Sequence, residues 1–589
     1  MADIDPPLTN GAPSSRLPPG TKWADVERDA PADVEADDEE ETPYTRVRGE
    51  RQASSHRVGG GGGGRGDPPP QVQSFLRNFY EDVEGRKVGN IENAYEGQFP
   101  RLSDQYYSKT RWVDPSSVSR YYADQGFEKE KDVVLILYKE LFYRHLHTVG
   151  GPESAVRVRV EDREDSWGNY RDLFDYFLEV EMEKKPGRGA RGLQFPYTWT
   201  FDMLDEFVYQ WSQFKFFHNK TSQGRSKRSD DDGRIRFREM VALADRHIWD
   251  SARVIEYLQL LVNKSGINQY FRHNRERARG DDRIETDLGL QVGYFAIVQL
   301  LRVQCLVGDY RLALQQLDEF DFSGDSLFYR VPNCHLSLFY YMGFSYMMLR
   351  RYTDAVRVFS QVLTFLHTKK DDYLQGTAMG HLLKMKDRMY QLLLLCVCLH
   401  PHRLDESINM YLKDKHADRH ARLLKDDEQE YIDVFNYASP KFVHPGYPPF
   451  DDMDDYDPTE LSRTQVEVFL EEVRHQKLVP TIRSFAKLYT AIPIQKLASL
   501  MEKNEDEIRE ILLCVKHKGR QLVWRSGPPL SGEVVTMEEG VDFFLDHEMI
   551  HVKSTKIHHN YVQYFVHSIH TFKDMIRSVE HGLQRRERV

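Results

Sequence analysis

Apolar residues recur every three or four positions through most of the chain, starting near residue 72. The stretch "DVVLILYKELFYRHLHTV" (132–149) is the densest early example, and "LDEFVYQWSQFKFF" (204–217) and "ARVIEYLQLLVNK" (252–264) repeat the pattern. This spacing places apolar side chains along one side of an α-helix, and the apolar residues on the other sides of 132–149 indicate burial between neighbouring helices. Strand-like alternation is nearly absent before residue 520, so the pattern predicts a mainly α-helical chain.

Two segments between residues 294 and 365 resemble each other, "LLRVQCLVGDYRLALQQLDEF" and "YYMGFSYMMLRRYTDAVRVFSQV". They share a tyrosine, a small alanine and a large apolar residue, 42 residues apart in the pairs Tyr310 and Tyr352, Ala313 and Ala355, and Leu317 and Phe359. A small residue lets two helices approach closely, and the larger residue four positions later fills the groove beyond. The repetition predicts an irregular tetratricopeptide-like solenoid, because the period exceeds that of a regular array.

The pattern changes in the last 110 residues or so, where helical and strand-like segments alternate. We expect Pro493 in the first turn of a helix over "IPIQKLASLM", and Asn504 with Glu507 as a capping box for the next helix. Gly519 then ends that helix, and "QLVW" (521–524) alternates as a short strand. A Gly/Pro loop and the apolar runs "VDFFL" and "MIHV" follow, which together predict a winged helix.

Winged helices often bind DNA with the N-terminal end of their second helix. Here that end carries Glu505, Asp506, Glu507 and Glu510, whose charges repel phosphates. The charges favour a domain that docks against proteins.

The chain closes with apolar residues spaced 4, 3, 4, 3 and 4, which is the spacing of a heptad seam: Phe565, Ile569, Phe572, Ile576, Val579 and Leu583. Such a terminal helix packs either on its own domain or in a bundle with helices of other subunits. These six residues are the predicted protein interface. The predicted organisation is a disordered acidic and Gly-rich tail, a helical region, helical repeats, a connector, a winged-helix portion and a heptad helix, over residues 1–70, 71–290, 291–440, 441–460, 461–558 and 559–589.

Composition and charge argue against several classes of protein. The net charge of -12 gives no global attraction to polyphosphate, so nucleic-acid contact requires local patches. Five cysteines without a C-x-x-C pair argue against a disulfide framework or a cysteine zinc site. The N-terminus lacks the basic start and apolar core of a secretory signal, and no apolar run has the length of a membrane span.

Two motifs have the spelling of enzyme sites. His547, Glu548 and His551 spell H-E-x-x-H, which on a helix holds zinc with two imidazoles and places a general base beside the bound water. The residues that follow do not continue a metalloprotease signature, and "DHEMIHV" suits a hairpin. The G-x-G-x-x-G of "GRGARG" (187–192) lacks the strand and the helix that phosphate binding requires. We therefore expect no catalytic residues, no cofactor and no metal, with a zinc hydrolase as the remote alternative.

Several longer stretches resemble the PCI-domain family, and within it the L-subunit family of eukaryotic translation initiation factor three. They lie in one order between residues 72 and 580: "LILYKELFYRHL" (135–146), "LVNKSGIN" (261–268), "LLRVQCLVGDY" (300–310), "YYMGFSYMMLRRYTDAVRVF" (340–359), "SPKF" (439–442), "TIRSFAKLYTAIPIQKLA" (481–498) and "DHEMIHVKSTK" (546–556). The resemblance does not cover the tail or the charged inserts at 183–192, 224–238 and 271–283.

The resemblance implies a PCI module and a non-enzymatic scaffold subunit of a large cytoplasmic assembly, which binds the small ribosomal subunit and supports pre-initiation complex formation and mRNA recruitment. It implies the K subunit as the nearest neighbour and the E subunit next. No membrane partner is expected. The basic inserts either contact ribosomal or messenger RNA through phosphates or are solvated loops. A scaffold of another PCI assembly, such as the proteasome lid or the signalosome, is the alternative function.

Overall fold

The structure, a computed structural model, describes residues 68–127, 131–149, 158–182, 193–227, 247–277, 284, 287–322, 326–368, 379–425, 427–446, 459–536, 541–554 and 565–577 except 567 and 574. The predicted tail, most of the charged inserts and the acidic part of the connector lie outside these residues. Within them the chain is mainly helical, as predicted.

The first half of the described chain consists of helices, with π-helical turns at Asn93–Gln98 and Phe177–Glu181: α1 (Pro70–Glu84), α2 (Val88–Glu92), α3 (Phe99–Tyr106), α4 (Pro115–Asp124), α5 (Lys131–Val149), α6 (Val160–Tyr176), α7 (Tyr197–Lys227), α8 (Ser251–Ser265) and α9 (Ile267–Arg277). Local chemistry sets several ends. The Asp114 carboxylate accepts the Ser116 N–H at 3.1 Å and caps α4. Gly266 ends α8 with φ of 70°, a conformation that favours glycine.

The second group of helices carries the predicted repeats: α10 (Leu288–Val307), α11 (Tyr310–Gln315), α12 (Pro332–Met348), α13 (Tyr352–Thr368), α14 (Met379–Leu399), α15 (Glu406–Lys415), α16 (Ala417–Leu423) and α17 (Glu428–Ala438). A 3₁₀ turn, Leu327–Arg330, precedes α12. The two similar segments form the pairs α10/α11 and α12/α13. The second helix is far shorter in the first pair, with 6 residues against 17.

The repeat positions pack as the spacing predicts. Ala313 and Ala355 are fully buried, and so is Phe359. A Cβ at Gly343 would lie only 2.5 Å from the Phe359 ring, so the groove that Phe359 fills exists because α12 has no side chain there. Steric fit between α12 and α13 therefore depends on this glycine and phenylalanine together.

Helix α10 is long and apolar enough to cross a membrane by length and composition, but 94% of that stretch is buried inside the protein. Its polar Gln299 and Arg302 are buried too, and both donate hydrogen bonds to Asp205 on α7, at 3.1 and 2.6 Å. Helix α10 is thus the central core helix of the repeats, packed against α7, α8 and α12.

The C-terminal domain, residues 460–554, combines helices with short strands: α18 (Glu460–Leu488), β1 (Ala491–Pro493), α19 (Ile494–Met501), α20 (Glu505–Lys518), β2 (Arg520–Val523), β3 (Glu533–Thr536), β4 (Val541–Asp546) and β5 (Met549–Ser554). One antiparallel sheet has the order β1-β5-β4, and β2 pairs separately with β3. A small core of its own joins the first sheet to the helices, with Ile492, Leu497, Leu512 and Ile550 among its members.

Three local predictions for this domain were wrong. Pro493 ends strand β1 and caps α19 instead of lying in the first turn of the helix, because Ile492 pairs with Ile550 of β5. Asn504 is the N-cap of α20, but its side chain makes no capping hydrogen bond. The predicted Gly/Pro loop contains a strand, since Leu522 of β2 pairs with Val534 of β3.

The first part of the connector packs against the helices. Val443 donates its N–H to the Leu306 carbonyl at 2.9 Å. The Pro445 carbonyl accepts hydrogen bonds from the Ser251 hydroxyl at 2.8 Å and from the Lys215 ammonium at 3.3 Å. Residues 441–446 are therefore an ordered extension of the helical core.

Candidate interaction surface

Exposed apolar side chains are concentrated near the C-terminus. Among the described residues, thirteen of the eighteen exposed large apolar side chains lie after residue 460. The long helical part before it contributes only Leu260, Leu312, Leu383, Met410 and Leu424. Because contiguous exposed apolar surface marks contact sites more often than isolated residues do, the C-terminal domain and the helix after it form the candidate surface.

The terminal helix, residues 565–577, carries the predicted seam. Its described residues are helical, and Ile569, Phe572 and Ile576 are each more than half exposed. Phe565 and Met575 are exposed to a similar degree. Val579 and Leu583, the last two predicted interface residues, lie outside the described residues. One side of this helix thus presents large apolar side chains to solvent, at the spacing of helix-to-helix packing.

The C-terminal domain is attached to the repeats by Arg351, in the turn between α12 and α13. Its guanidinium is buried and donates to the carbonyl oxygens of Pro529, Leu530 and Ser531, at 3.0, 3.2 and 2.9 Å. The Tyr346 hydroxyl donates to the Pro529 carbonyl at 2.9 Å, and the guanidinium lies over the Tyr346 ring. Arg351 therefore satisfies the backbone acceptors of three consecutive residues, and Tyr346 shares the first of them.

Asp354 completes this contact from the first turn of α13. It accepts the Arg351 Nε–H at 2.8 Å and the Trp524 N–H at 2.9 Å, and its carboxylate is fully buried. The backbone at Gly532 passes close to that of Val523, because the Cβ of a larger residue there would lie only 2.9 Å from the Val523 carbonyl oxygen. We call Arg351, Asp354 and the segment 524–532 the clamp, since together they fix the β2–β3 hairpin on the repeats.

A second contact joins the same turn to α18 and α20. The Glu472 carboxylate accepts a hydrogen bond from Lys518 at 2.6 Å and lies 3.8 Å from Arg350. Burial, and then the nearby Glu472 charge, raise the pKa of Tyr352 well above its ordinary value, so that this phenol stays protonated. A cavity of about 300 Å³ lies beside this contact, walled by Met347, Phe469, Cys514 and their neighbours.

The acidic N-terminal end of α20 is largely exposed. Glu505, Asp506 and Glu507 occupy its first turn, and the Arg509 guanidinium donates to Asp506 at 2.7 Å. The Lys503 ammonium, just before the helix, lies 3.7 Å from Glu507, so both nearby cations are already paired with acidic residues of this end. Negative charge favours a helix N-terminus but repels phosphate, so this end does not fit DNA.

The H-E-x-x-H sequence is a hairpin and not a helix. Strand β4 ends at Asp546, His547 and Glu548 form the turn, and β5 begins at Met549. His547 has φ of 51° and its side chain is almost fully exposed, whereas the His551 ring stacks on Phe544 at 5.0 Å. The two imidazoles therefore lack the helical register that would aim both at one metal. The G-x-G-x-x-G glycines lie outside the described residues.

The helical repeats followed by the small helix-and-sheet domain define a helical-repeat protein of the PCI type. A family described as RNA polymerase I-associated factor PAF67 matches residues 162–572. Eukaryotic translation initiation factor 3 subunit L from Nematostella vectensis is 35% identical over 521 residues, covering 87% of this chain and 93% of that protein. The proteins of that name from Gallus gallus and Homo sapiens are 35% identical over 545 residues, covering 88% of this chain and 91% of theirs. The chain belongs to the L-subunit family of eukaryotic translation initiation factor 3.

The clamp was not predicted from the sequence, although a weak signal exists. When the two repeats are aligned on Tyr310 and Tyr352, the turn reads Gly308-Asp309 in the first copy and Arg350-Arg351 in the second. In the first copy Asp309 caps α11 by accepting the Leu312 N–H at 2.9 Å. In the second copy, Arg351 stands at the position of Asp309 and binds a segment that is distant in sequence instead of capping its helix. This difference between the two copies could have indicated the contact.

Proposed function

We propose that the chain is a non-catalytic scaffold subunit of translation initiation factor 3. The supporting observation is the concentration of exposed apolar side chains in the C-terminal domain and the terminal helix, in a chain of the L-subunit family. A protein that acts by contact needs such a surface and needs no cleft with paired catalytic groups. In this role it stays in the cytoplasm.

The terminal helix enters a bundle with helices of neighbouring subunits, with Phe565, Ile569, Phe572, Ile576, Val579 and Leu583 as the seam. The K subunit is the nearest neighbour in this proposal, and the E subunit comes next. The half-exposed side chains of Ile569, Phe572 and Ile576 support the assignment, because burial of each side chain would contribute roughly 1.5–3 kcal/mol.

Through the complex, the chain supports binding to the small ribosomal subunit, pre-initiation complex formation and mRNA recruitment. The basic inserts at 183–192, 224–238 and 271–283 are the segments suited to direct RNA contact, because the exposed end of α20 is acidic.

Purification of the tagged full-length chain from its own cells, followed by identification of the bound proteins, tests the proposal. We expect the other subunits of the factor in constant ratio, and sedimentation of part of the material with small ribosomal subunits. Recovery of proteasome-lid, signalosome or RNA polymerase I subunits in their place would assign the chain to another assembly. Recovery of the chain alone would refute the scaffold function.

A further inference from the structure

The end of α18 and the start of α19 form a cationic patch that contains no acidic residue. Residues 473–501 hold five lysines and arginines and neither Asp nor Glu, although acidic residues surround the stretch at Glu471, Glu472 and Glu502. In a chain with a net charge of -12, this stretch is therefore locally cationic.

Two of the five cations already have partners. Arg474 donates to both Glu428 oxygens, at 3.3 and 3.2 Å, and Lys477 lies 3.8 Å from the same carboxylate. Glu428 therefore pairs with both Arg474 and Lys477, and with none of the three later cations. Arg483, Lys487 and Lys496 form no ion pair with any carboxylate of the described residues.

These three cations lie on one continuous surface. Arg483 and Lys487 are one helical turn apart on α18, a spacing at which like charges destabilise a helix. The Lys496 ammonium lies 5.0 Å from the centre of the Tyr489 ring, which joins α19 to the end of α18. Leu500 is one turn beyond Lys496 on the same side of α19.

Two leucines give the patch apolar anchor points. Leu488, directly after Lys487, is 76% exposed, the largest exposed fraction among the large apolar side chains of the described residues. Leu500 is 45% exposed. An exposed leucine beside cations that have no carboxylate partner is unfavourable in the isolated chain. Its apolar area remains in contact with water, and the like charges around it repel each other.

We infer that the patch formed by Arg483, Lys487, Leu488, Tyr489, Lys496 and Leu500 binds an acidic segment of a neighbouring subunit, one that also carries aliphatic side chains. Charge complementarity selects the acidic partner, and the leucines select aliphatic anchors. RNA fits less well, because Lys496 already covers the Tyr489 ring and only the half-buried Arg483 guanidinium is left to stack on an unpaired base. This inference rests on the proposed membership of a multisubunit assembly, and it adds a contact separate from the terminal helix.

Site-specific photocrosslinking in the assembled complex tests the inference. A benzophenone amino acid replaces Leu488 in the full-length tagged chain, and in a matched control it replaces Leu424, which is 64% exposed on the repeats. After irradiation, mass spectrometry identifies the crosslinked peptide. We expect a peptide of another subunit that is rich in Asp and Glu and contains Leu, Ile or Val, and a different product or none from position 424.

The paired substitutions Lys487→Glu and Lys496→Glu, introduced with the crosslinker at 488, should reduce the crosslink at least about tenfold, because like charges would then face each other. Lys413→Glu with Lys415→Glu on the exposed side of α15 is the charge-matched control and should leave the crosslink unchanged.

A crosslink to RNA, to a basic or neutral peptide, or to acidic residues of this same chain would overturn the inference, as would no crosslink at 488 in an intact complex. If the chain recovers no other subunit at all, the proposed function itself fails. The two failures are therefore distinguished by whether the complex is present.

Discussion

The Arg351 guanidinium donates a hydrogen bond to the carbonyl oxygen of Ser531 at 2.9 Å, across 180 residues of sequence. With the bonds to Pro529 and Leu530, one side chain of the repeats donates to the carbonyl oxygens of three consecutive residues in the C-terminal domain. The β2–β3 hairpin, which belongs to the candidate interaction surface, is therefore fixed on the helical repeats. Its orientation depends on a buried charge pair, not only on apolar contact.

The clamp can be tested by removing its cation. Arg351→Ala leaves the Asp354 carboxylate buried without its main partner, so we expect a loss of about 3–5 kcal/mol in the free energy of unfolding. The Arg525 side chain is already 64% exposed, but release of segment 524–532 should free its backbone to enter the trypsin active site, so that cleavage after Arg525 occurs at low protease concentration. Chemical denaturation and mass mapping of the first tryptic cut measure the two effects.

Arg350→Ala is the control for this change, since Arg350 is half-exposed and lies 3.8 Å from Glu472. A loss of no more than about 1 kcal/mol is expected from it. Equal effects of the two substitutions, or an unchanged tryptic pattern in Arg351→Ala, would contradict the clamp.

The terminal helix can be tested by placing charge in its seam. Ile569→Asp with Ile576→Asp should release the chain from its complex while leaving the melting of the repeats unchanged, because both side chains are exposed in the isolated chain. Quantitative co-purification gives the first result and circular dichroism the second. Met410→Asp, at an exposed apolar residue of α15, should not alter co-purification. Full retention of the double variant would remove the terminal helix from the interface.

The burial of Glu206 on α7 predicts that the free energy of unfolding depends on pH. It is fully buried, its Oε1 accepts the Gln210 amide N–H at 2.9 Å, and Oε2 has no hydrogen-bond partner among the described residues. Arg144 is hydrogen-bonded to Glu140, and Arg302 to Asp205, so neither cation is committed to Glu206. Burial raises the pKa of Glu206 from 4.5 to about 8, against the lowering effect of Arg144.

The sign of the effect follows from proton linkage. Between pH 4.5 and 8 the folded state keeps the Glu206 proton that the unfolded state has lost, so the contribution of this group to stability falls as pH rises. The slope is about 1.4 kcal/mol per pH unit, and the full change is on the order of 5 kcal/mol. Glu206→Gln should be more stable than the parent at pH 8 and lose this difference at pH 4.5. Equal pH profiles of the two proteins would refute the assignment.

Two glycine substitutions should have opposite effects. Gly343→Ala places a Cβ 2.5 Å from the Phe359 ring, so overpacking of roughly 1–3 kcal/mol should outweigh a gain in helix propensity of up to about 1 kcal/mol. At Gly168 on α6 the nearest atom to an added Cβ is the end of the Arg171 side chain, 4.0 Å away. Gly168→Ala should therefore stabilise the protein by up to about 1 kcal/mol. Denaturant midpoints compare the two, and the same sign for both would contradict the packing argument.

The H-E-x-x-H hairpin predicts that chelation of metal has no effect on folding. Adding EDTA to the purified protein should leave its melting temperature unchanged, because His547 lies in a turn while His551 stacks on Phe544. Elemental analysis should find much less than one zinc per chain. Stoichiometric zinc that is lost in the double variant His547→Ala with His551→Ala would restore the metal-site hypothesis.

The sequence by itself determined the helical elements, the repeated pair around Tyr310 and Tyr352, and the family. These features depend on side-chain spacing within one or two turns, where apolar periodicity and chain geometry act locally. The hairpin at Asp546 to Glu548 was also predictable, because polar residues separate two apolar runs there.

Only the tertiary structure decided that Pro493 ends a strand, that Arg351 holds segment 524–532, and that burial raises the pKa of Glu206. Each of these facts depends on groups brought together from distant positions: β5 beside β1, the β2–β3 hairpin beside the repeats, and α5 beside α7. The identity of a residue does not specify its burial or its partner, and the energy of a charged or hydrogen-bonding group depends on both.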